Sequence, residues 1–233
     1  MPDKVAIVTA ASKGMGAACA RELAQQGYRL AIMARSPAIH KVVEQTHAVG
    51  LQGDVTKLAD LQALVDLAVR SYGRIDGIVL STGHPARGDL LSIADHDWHG
   101  GMDLMLLNVV RIARLVVPLM QAQGGGAFVN ISTYAAREPS LDYALSSSLR
   151  SAAGAFAKLF AERYAPDNIR MNCILPGFID SFAVPSGIAA SIPLRRAGSV
   201  AEIAQTAAFL LSDGGAYITG QSICVDGGLT RSF

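Results

Sequence analysis

The chain is short of charge. Of its 233 residues only 17% are Asp, Glu, Lys or Arg, against about 25% in an average soluble domain. That deficit leaves surface suited to being covered, and a homotetramer or homodimer is expected. Charge of one sign is also missing. The net charge is +1, which gives no electrostatic footprint for nucleic acid. No uncharged run approaches the roughly 20 residues that a membrane-crossing helix needs, so no membrane partner is expected. The start, Met1-Pro2-Asp3-Lys4, leads straight into a strand pattern and lacks the features of a signal peptide. Cysteine is scarce. Cys19, Cys173 and Cys224 lie far apart in apolar company and fit no metal spacing. An odd count of scattered cysteines suits reduced thiols in a cytoplasmic protein. No repeat, low-complexity tract or long linker divides the chain, which predicts one domain over 1–233.

What is present is alternation. Short apolar runs at Val5–Thr9, Leu30–Met33, Ile78–Leu80, Ala127–Ser132, Ile169–Leu175 and Ser222–Val225 read as strands, with a weak one at Gly50–Gly53. Helical patterns separate them: Gly14 to Gly27, Leu58 to Tyr72, Trp98 to Gln121, Asp142 to Tyr164 and Val200 to Leu211. Strands apolar on both faces, alternating with helices, imply an α/β fold. A parallel sheet is covered on both sides and doubly wound by right-handed crossovers, the Rossmann type. The stretch Gly177 to Pro193 reads as irregular and would lie at the carboxyl edge of the sheet, where ligands bind.

The first strand runs into Thr9-Ala10-Ala11-Ser12-Lys13-Gly14-Met15-Gly16. Glycines at a strand-to-helix turn let the backbone approach a pyrophosphate held on the helix N-terminus. A plain tight turn would look the same, but the spacing resembles the T-G-x-x-x-G-x-G loop of the short-chain dehydrogenase/reductase family, with Ala10 in place of its first glycine. The resemblance covers essentially the whole chain. Gly53-Asp54-Val55-Thr56 looks like the family's adenine-contacting turn. Leu80-Ser81-Thr82-Gly83 stands where the family has N-N-A-G. Asn108 matches its active-site asparagine. Pro176-Gly177-Phe178-Ile179-Asp180-Ser181 is similar to the segment that contacts nicotinamide and phosphates. Tyr217 to Gln221 and Val225 to Gly228 carry the most family-specific string.

The resemblance implies a nicotinamide cofactor, and the residues refine it. An acidic residue after the second strand would bind a ribose 2′-hydroxyl and favour NAD. Here Arg35 takes that place and Lys13 lies in the phosphate loop, two cations that suit a 2′-phosphate. NADP(H) is therefore expected. A solvated surface charge is the plainer reading of Arg35.

The catalytic pair is where the chain departs from the family. The family uses a serine after the fifth strand, then a tyrosine, then a lysine four residues later. Counting back from Phe156-Ala157-Lys158 without a gap puts Arg150 at the lysine, Ser146 at the tyrosine and Thr133 at the serine. A second register takes Tyr143 as the tyrosine and leaves Ser147 at the lysine; it needs a deletion and an insertion within a helix. In the first register an alcohol replaces a phenol, and a guanidinium that does not deprotonate replaces an amine. Substitute proton donors are Tyr143, three residues before Ser146 and seven before Arg150 and so on one helical face, and His84, which titrates near neutrality. Tyr134 is a weaker candidate. His96 and His99 read as a solvated helix start with Trp98 packing inward rather than as a metal site.

Three functions remain open on this sequence. The first is an NADP(H)-dependent reductase of a C=O or C=N group with a rebuilt proton donor. The second is a cofactor-binding protein without turnover, a sensor or partner. The third is an ordinary carbonyl reductase working through Tyr143. The apolar Phe182, Val184 and Ile188 favour a small or flat, fairly apolar substrate.

Overall fold

The computed structural model describes residues 4–232; Met1 to Asp3 and Phe233 lie outside them. Seven strands form one sheet: β1 (Val5–Thr9), β2 (Arg29–Ala34), β3 (Val49–Gln52), β4 (Gly77–Leu80), β5 (Gly126–Ile131), β6 (Ile169–Pro176) and β7 (Ser222–Val225). Their order is β3-β2-β1-β4-β5-β6-β7 and every pairing is parallel. The chain winds outward from β1 in one direction, then returns to β4 on its other side. This is the doubly wound arrangement, and its switch point lies between β1 and β4. The β1, β2 and β4 strands are buried almost throughout, as strands covered on both faces must be.

Helices α1 (Gly14–Gln25), α2 (Ile39–Thr46) and α8 (Val200–Leu211) pack on one face of the sheet, with Ala17, Leu23, Ile39 and Val42 against β1 and β2 and Ile203 and Leu210 of α8 against β4 and β5. Helices α3 (Leu58–Tyr72), α5 (Asn108–Gln123) and α6 (Ala144–Tyr164) cover the other, with Leu61, Leu64, Ile112, Val116 and Phe160 against Ile7, Ile78 and Phe128. Helix α8 starts on a capping box: Ser199 Oγ accepts from Glu202 N at 3.2 Å, and Ser199 N donates to the Glu202 carboxylate at 2.7 Å.

Four expectations are corrected. A helix, α2, fills the span between β2 and β3. Its Ile39, Val42 and Thr46 recur at helical spacing and are buried, and Ser36 Oγ accepts from Ala38 N just before the helix. The long helix expected over Trp98 to Gln121 is broken: α4 (Asp95–Met102) passes into a π-helical turn (Asp103–Leu107) before α5 begins at Asn108. The irregular stretch after β6 contains a short helix, α7 (Ser186–Ser191). Helix α6 begins at Ala144, not Asp142. A 3₁₀ turn over Leu141–Tyr143, capped by Ser140 Oγ, precedes it. Tyr143 therefore stands before the helix, and the argument that one helical face joins it to Ser146 and Arg150 does not hold.

Candidate active site

The cleft opens where β1 and β4 part. Thr9 is fully buried there, and its hydroxyl ties the two strands together: it donates to Ser81 O at 2.8 Å and accepts from Ser81 N at 3.0 Å. After Thr9 the chain turns through Ala10, whose φ of 49° is left-handed. That turn leads through Ser12 and Lys13 onto the N-terminus of α1, with Gly14, Met15 and Gly16 in its first turn. A Cβ on Gly16 would stand 2.5 Å from the Ala10 carbonyl oxygen, so only glycine fits and the turn packs tightly on itself. The first amides of α1 are left to face a ligand.

Around this loop the structure gathers the other predicted cofactor residues. Ser181 lies over it, its Cβ 3.5 Å from where a Cβ on Gly14 would be. The segment carrying Pro176, Gly177, Ile179 and Ser181 is anchored from both sides. Gly177 N donates to Val225 O at 3.1 Å, and Gly198 N to Phe178 O at 2.9 Å. Arg35 follows β2 with its side chain exposed; one Nη lies 4.0 Å from Asp54, and the other is 3.5 Å from where a Cβ on Gly83 would stand. Asp54 Oδ1 accepts from Thr56 N and Oγ1, which holds the turn after β3 and buries Val55.

The catalytic candidates come from four elements. Arg150 is only 8% exposed. One Nη donates to Ile131 O at 2.7 Å and the other to Thr82 Oγ1 at 2.8 Å. The guanidinium is thereby pinned to the carboxyl edge of the sheet between β4 and β5. Burial pulls its pKa down to about 10, so it stays a cation at neutral pH, and among the described residues no carboxylate pairs with it. Thr82 is a residue the sequence reading passed over. It sits inside the noted Ser81 to Gly83 segment, but nothing in the sequence pairs it with Arg150. Asn108 is 1% exposed. Its Nδ2 donates to Leu104 O at 2.7 Å, inside the π-helical turn, and its Oδ1 has no partner. A buried acceptor left open is costly and is a feature of a site that takes up water or a ligand. Thr133 follows β5 with its Oγ1 accepting from Ala135 N at 3.4 Å.

Ser146 faces a small hollow that His84, Arg87, Asp142 and Tyr143 also line. The Tyr143 ring lies beneath the Arg87 guanidinium, 4.9 Å from it. Ser147 is buried, and its Oγ accepts from Ser140 N at 3.4 Å, so it serves the turn rather than the cleft. The His84 ring packs tilted against Phe182, centroids 5.3 Å apart, and Tyr134 against Phe178 at 5.7 Å. These two pairs join the β4 and β5 loops to the segment after β6. Desolvation, then the charges of Arg150, Arg87 and Lys13, hold His84 below its ordinary pKa. It is therefore neutral at pH 7. Desolvation, then Tyr143, Asp142 and Glu138, push the Tyr134 phenol up. His96 and His99 are exposed at the start of α4 with Trp98 partly buried, and no cluster of three metal-binding side chains occurs among the described residues. No described helix is long and apolar enough to cross a membrane.

A cleft with a tight glycine turn, a helix N-terminus, flanking cations and buried hydrogen-bonding groups suits a dinucleotide. Comparison with known proteins agrees. A family model described as Enoyl-(Acyl carrier protein) reductase matches residues 9–230. The human protein named Dehydrogenase/reductase SDR family member 4 is 32% identical over 98% of this chain and 88% of its own length. The structure of YwfH, described as an NADPH dependent reductase involved in bacilysin biosynthesis, superposes with a TM-score of 0.93 at 27% identity. It covers 99% of this chain and 100% of that one. L-sorbose reductase from Gluconobacter frateurii, solved with NADPH and L-sorbose, superposes with a TM-score of 0.91 at 28% identity, covering 99% and 98%.

Proposed function

The chain belongs to the short-chain dehydrogenase/reductase family, a short-chain oxidoreductase, and from that premise we propose that it is an NADP(H)-dependent reductase of a C=O or C=N bond whose active site lacks the family's tyrosine and lysine. One observation carries the reading. The buried cation at the lysine position is Arg150, held by Ile131 O and Thr82 Oγ1, and the side chain one helical turn before it is the alcohol of Ser146. Helix α6 runs unbroken from Ala144 through Lys158, which supports the register that aligns these residues. We read the chain as one dinucleotide-binding unit.

Arg35 and Lys13 would hold the 2′-phosphate side of the cofactor, Asp54 and Val55 the adenine, and Ser81 and Gly83 the dinucleotide crossing the switch point. The amides of Ser12 to Gly16 and the hydroxyl of Ser181 would hold the phosphates. Pro176, Gly177 and Ile179 would border the nicotinamide, and Arg150 its ribose. Both NADPH-named structures above support the phosphate preference. A bound NADPH supplies hydride. Thr133 Oγ1 and Asn108 would orient the acceptor bond, with Ser146 beside them. Neither Ser146 nor the fixed guanidinium of Arg150 is a good proton donor near pH 7. A substrate that takes up hydride without a proton on oxygen, such as an iminium carbon, suits this site. For a carbonyl, the proton must come from Tyr143, His84 or water.

The exposed Leu159 on α6 and Phe209 on α8 favour self-association, and we read the protein as a homotetramer or homodimer. The three unpaired thiols suit a cytoplasmic setting. The test is NADPH binding by fluorescence, then consumption over ketone, aldehyde and imine panels. Imine turnover with weak ketone turnover is expected. Tight NADPH binding with no turnover on any panel would instead make the protein a cofactor-binding module. Loss of ketone reduction in Tyr143→Phe would make it an ordinary carbonyl reductase. In Arg35→Ala the preference for NADPH over NADH should collapse.

A further inference from the structure

On the flank of the sheet, between α6, β6 and β7, lies a second cavity of about 230 Å³. Of the cofactor and catalytic residues named above, only Arg150 lines it. The others that matter are Ser132, Arg137, Ala155, Leu175 and Ser222. We propose that this cavity is a second binding site and that its ligand is a short-chain carboxylate. The head group would be held by Ser132 and Arg137, and the alkyl part would lie against Leu175 and Ala155.

Two groups in the cavity lack the partners their burial calls for. Ser132 is 7% exposed, and its Oγ has no hydrogen-bond partner. Among the described residues only Asn108 Oδ1 shares that condition, and it belongs to the cofactor cleft. A buried hydroxyl without a partner is costly and is normally matched by ligand or water. Arg150 spends its two hydrogen bonds on Ile131 O and Thr82 Oγ1 and, among the described residues, has no carboxylate partner, so its charge adds to the positive field of the cavity. Arg137 stands at the cavity mouth, exposed. Among the described residues, its guanidinium makes one hydrogen bond, a weak 3.9 Å contact to Cys224 Sγ. The neighbouring acid, Glu138, is turned away and accepts the backbone N–H groups of Arg231 and Ser232. No acid lines the cavity. Its electrostatics therefore favour an anion, and guanidinium groups match a carboxylate geometrically.

Size and lining narrow the class. The volume far exceeds the roughly 10–15 Å³ that one water needs and falls below the roughly 300 Å³ at which drug-sized pockets begin. A few heavy atoms fit. The apolar side formed by Ala136, Ala155 and Leu175 suits an alkyl tail and would be wasted on a bare phosphate.

The test uses the intact purified protein, with butyrate, acetate and inorganic phosphate as probes against chloride at matched ionic strength. Butyrate should raise the melting temperature saturably, by roughly 5 °C or more near a hundredfold excess over its Kd, with acetate weaker and phosphate weaker still. Arg137→Gln should weaken butyrate binding about tenfold or more, the scale of a lost charged hydrogen bond. Gly154→Leu, which projects into the cavity beside Ser222, should abolish binding while circular dichroism stays unchanged; if that variant does not fold, Arg137→Gln decides alone. NADPH affinity should be unaltered in Arg137→Gln, so failure here is distinguishable from failure of the cofactor reading. Three results would overturn the proposal: a butyrate effect no larger than that of chloride, one equal in the wild type and in Arg137→Gln, or phosphate binding as tightly as butyrate. So would protection that tracks protein concentration alone, which would mean that a second copy covers the cavity.

Discussion

Ala10 is the position where the phosphate loop is under strain, and its replacement by glycine has a calculable consequence. With φ at 49° its Cβ crowds the following carbonyl, a conformation costing an L-residue roughly 1–2 kcal/mol. Glycine removes that cost. It also adds unfolded-state entropy worth roughly 0.4–1 kcal/mol and removes a half-buried methyl worth about 0.4 kcal/mol, half of a fully buried one. From the midpoints, Ala10→Gly should stabilise the protein by about 0.4 kcal/mol. The number is small, but its sign is diagnostic. An ordinary Ala→Gly change in a helix, such as the exposed Ala155 of α6, should cost about 0.5–1 kcal/mol. Urea unfolding of both variants at one fixed protein concentration separates them by roughly 1 kcal/mol, and fixing the concentration removes the contribution of any oligomer. If Ala10→Gly destabilises as much as Ala155→Gly, the left-handed strain assigned to this loop is absent and the argument fails.

Gly16→Ala should abolish cofactor binding in a fluorescence titration, because its Cβ would stand 2.5 Å from the Ala10 carbonyl and must push the loop open. Ser199→Ala removes the capping box of α8 and should cost about 1 kcal/mol in urea unfolding, with binding unchanged. Arg150→Met should lower NADPH affinity more than it lowers stability; it orphans Ile131 O but also removes a buried, unmatched charge. His84 lies below its ordinary pKa, so the unfolded chain binds its proton more readily and stability rises with pH up to about the ordinary value near 6.5. His84→Gln should flatten that rise in melting temperature as pH climbs toward about 6.5.

The sheet was legible because its strands are apolar on both faces and separated by helical periods, and the observed strand order is what right-handed crossovers produce from that pattern. The tight glycine turn after β1 was legible as a spacing. Its strain was not, since Ala10 reads as a departure from a motif until φ is seen to be positive. Helix α2 carried a readable period in Ile39, Val42 and Thr46. The π-helical turn had no readable sign. One extra residue per turn leaves the apolar pattern of α4 and α5 nearly intact, yet it aims Asn108 and leaves its Oδ1 open. The Tyr143 argument failed for a related reason: a pattern three and seven residues apart places side chains on one face only if the helix has already begun, and Ser140 caps a separate turn first.

The unmatched charge of Arg150 is the strongest statement the molecule makes about its use. A fold selected only for stability would pair that guanidinium with an acid or replace it with an apolar side chain, since a buried cation gains little from two neutral acceptors against its lost hydration. Here the pKa falls only to about 10, so the charge survives burial and remains available. Ile131 O and Thr82 Oγ1 fix its direction, which a lysine ammonium would leave to a single flexible stem. In the proposed register the chain gives up the proton exchange that a lysine allows and keeps a rigid, permanent positive charge beside the place where the cofactor ribose would lie. That exchange makes sense for a site that must hold and orient its ligand firmly but has little need to deliver a proton from this position.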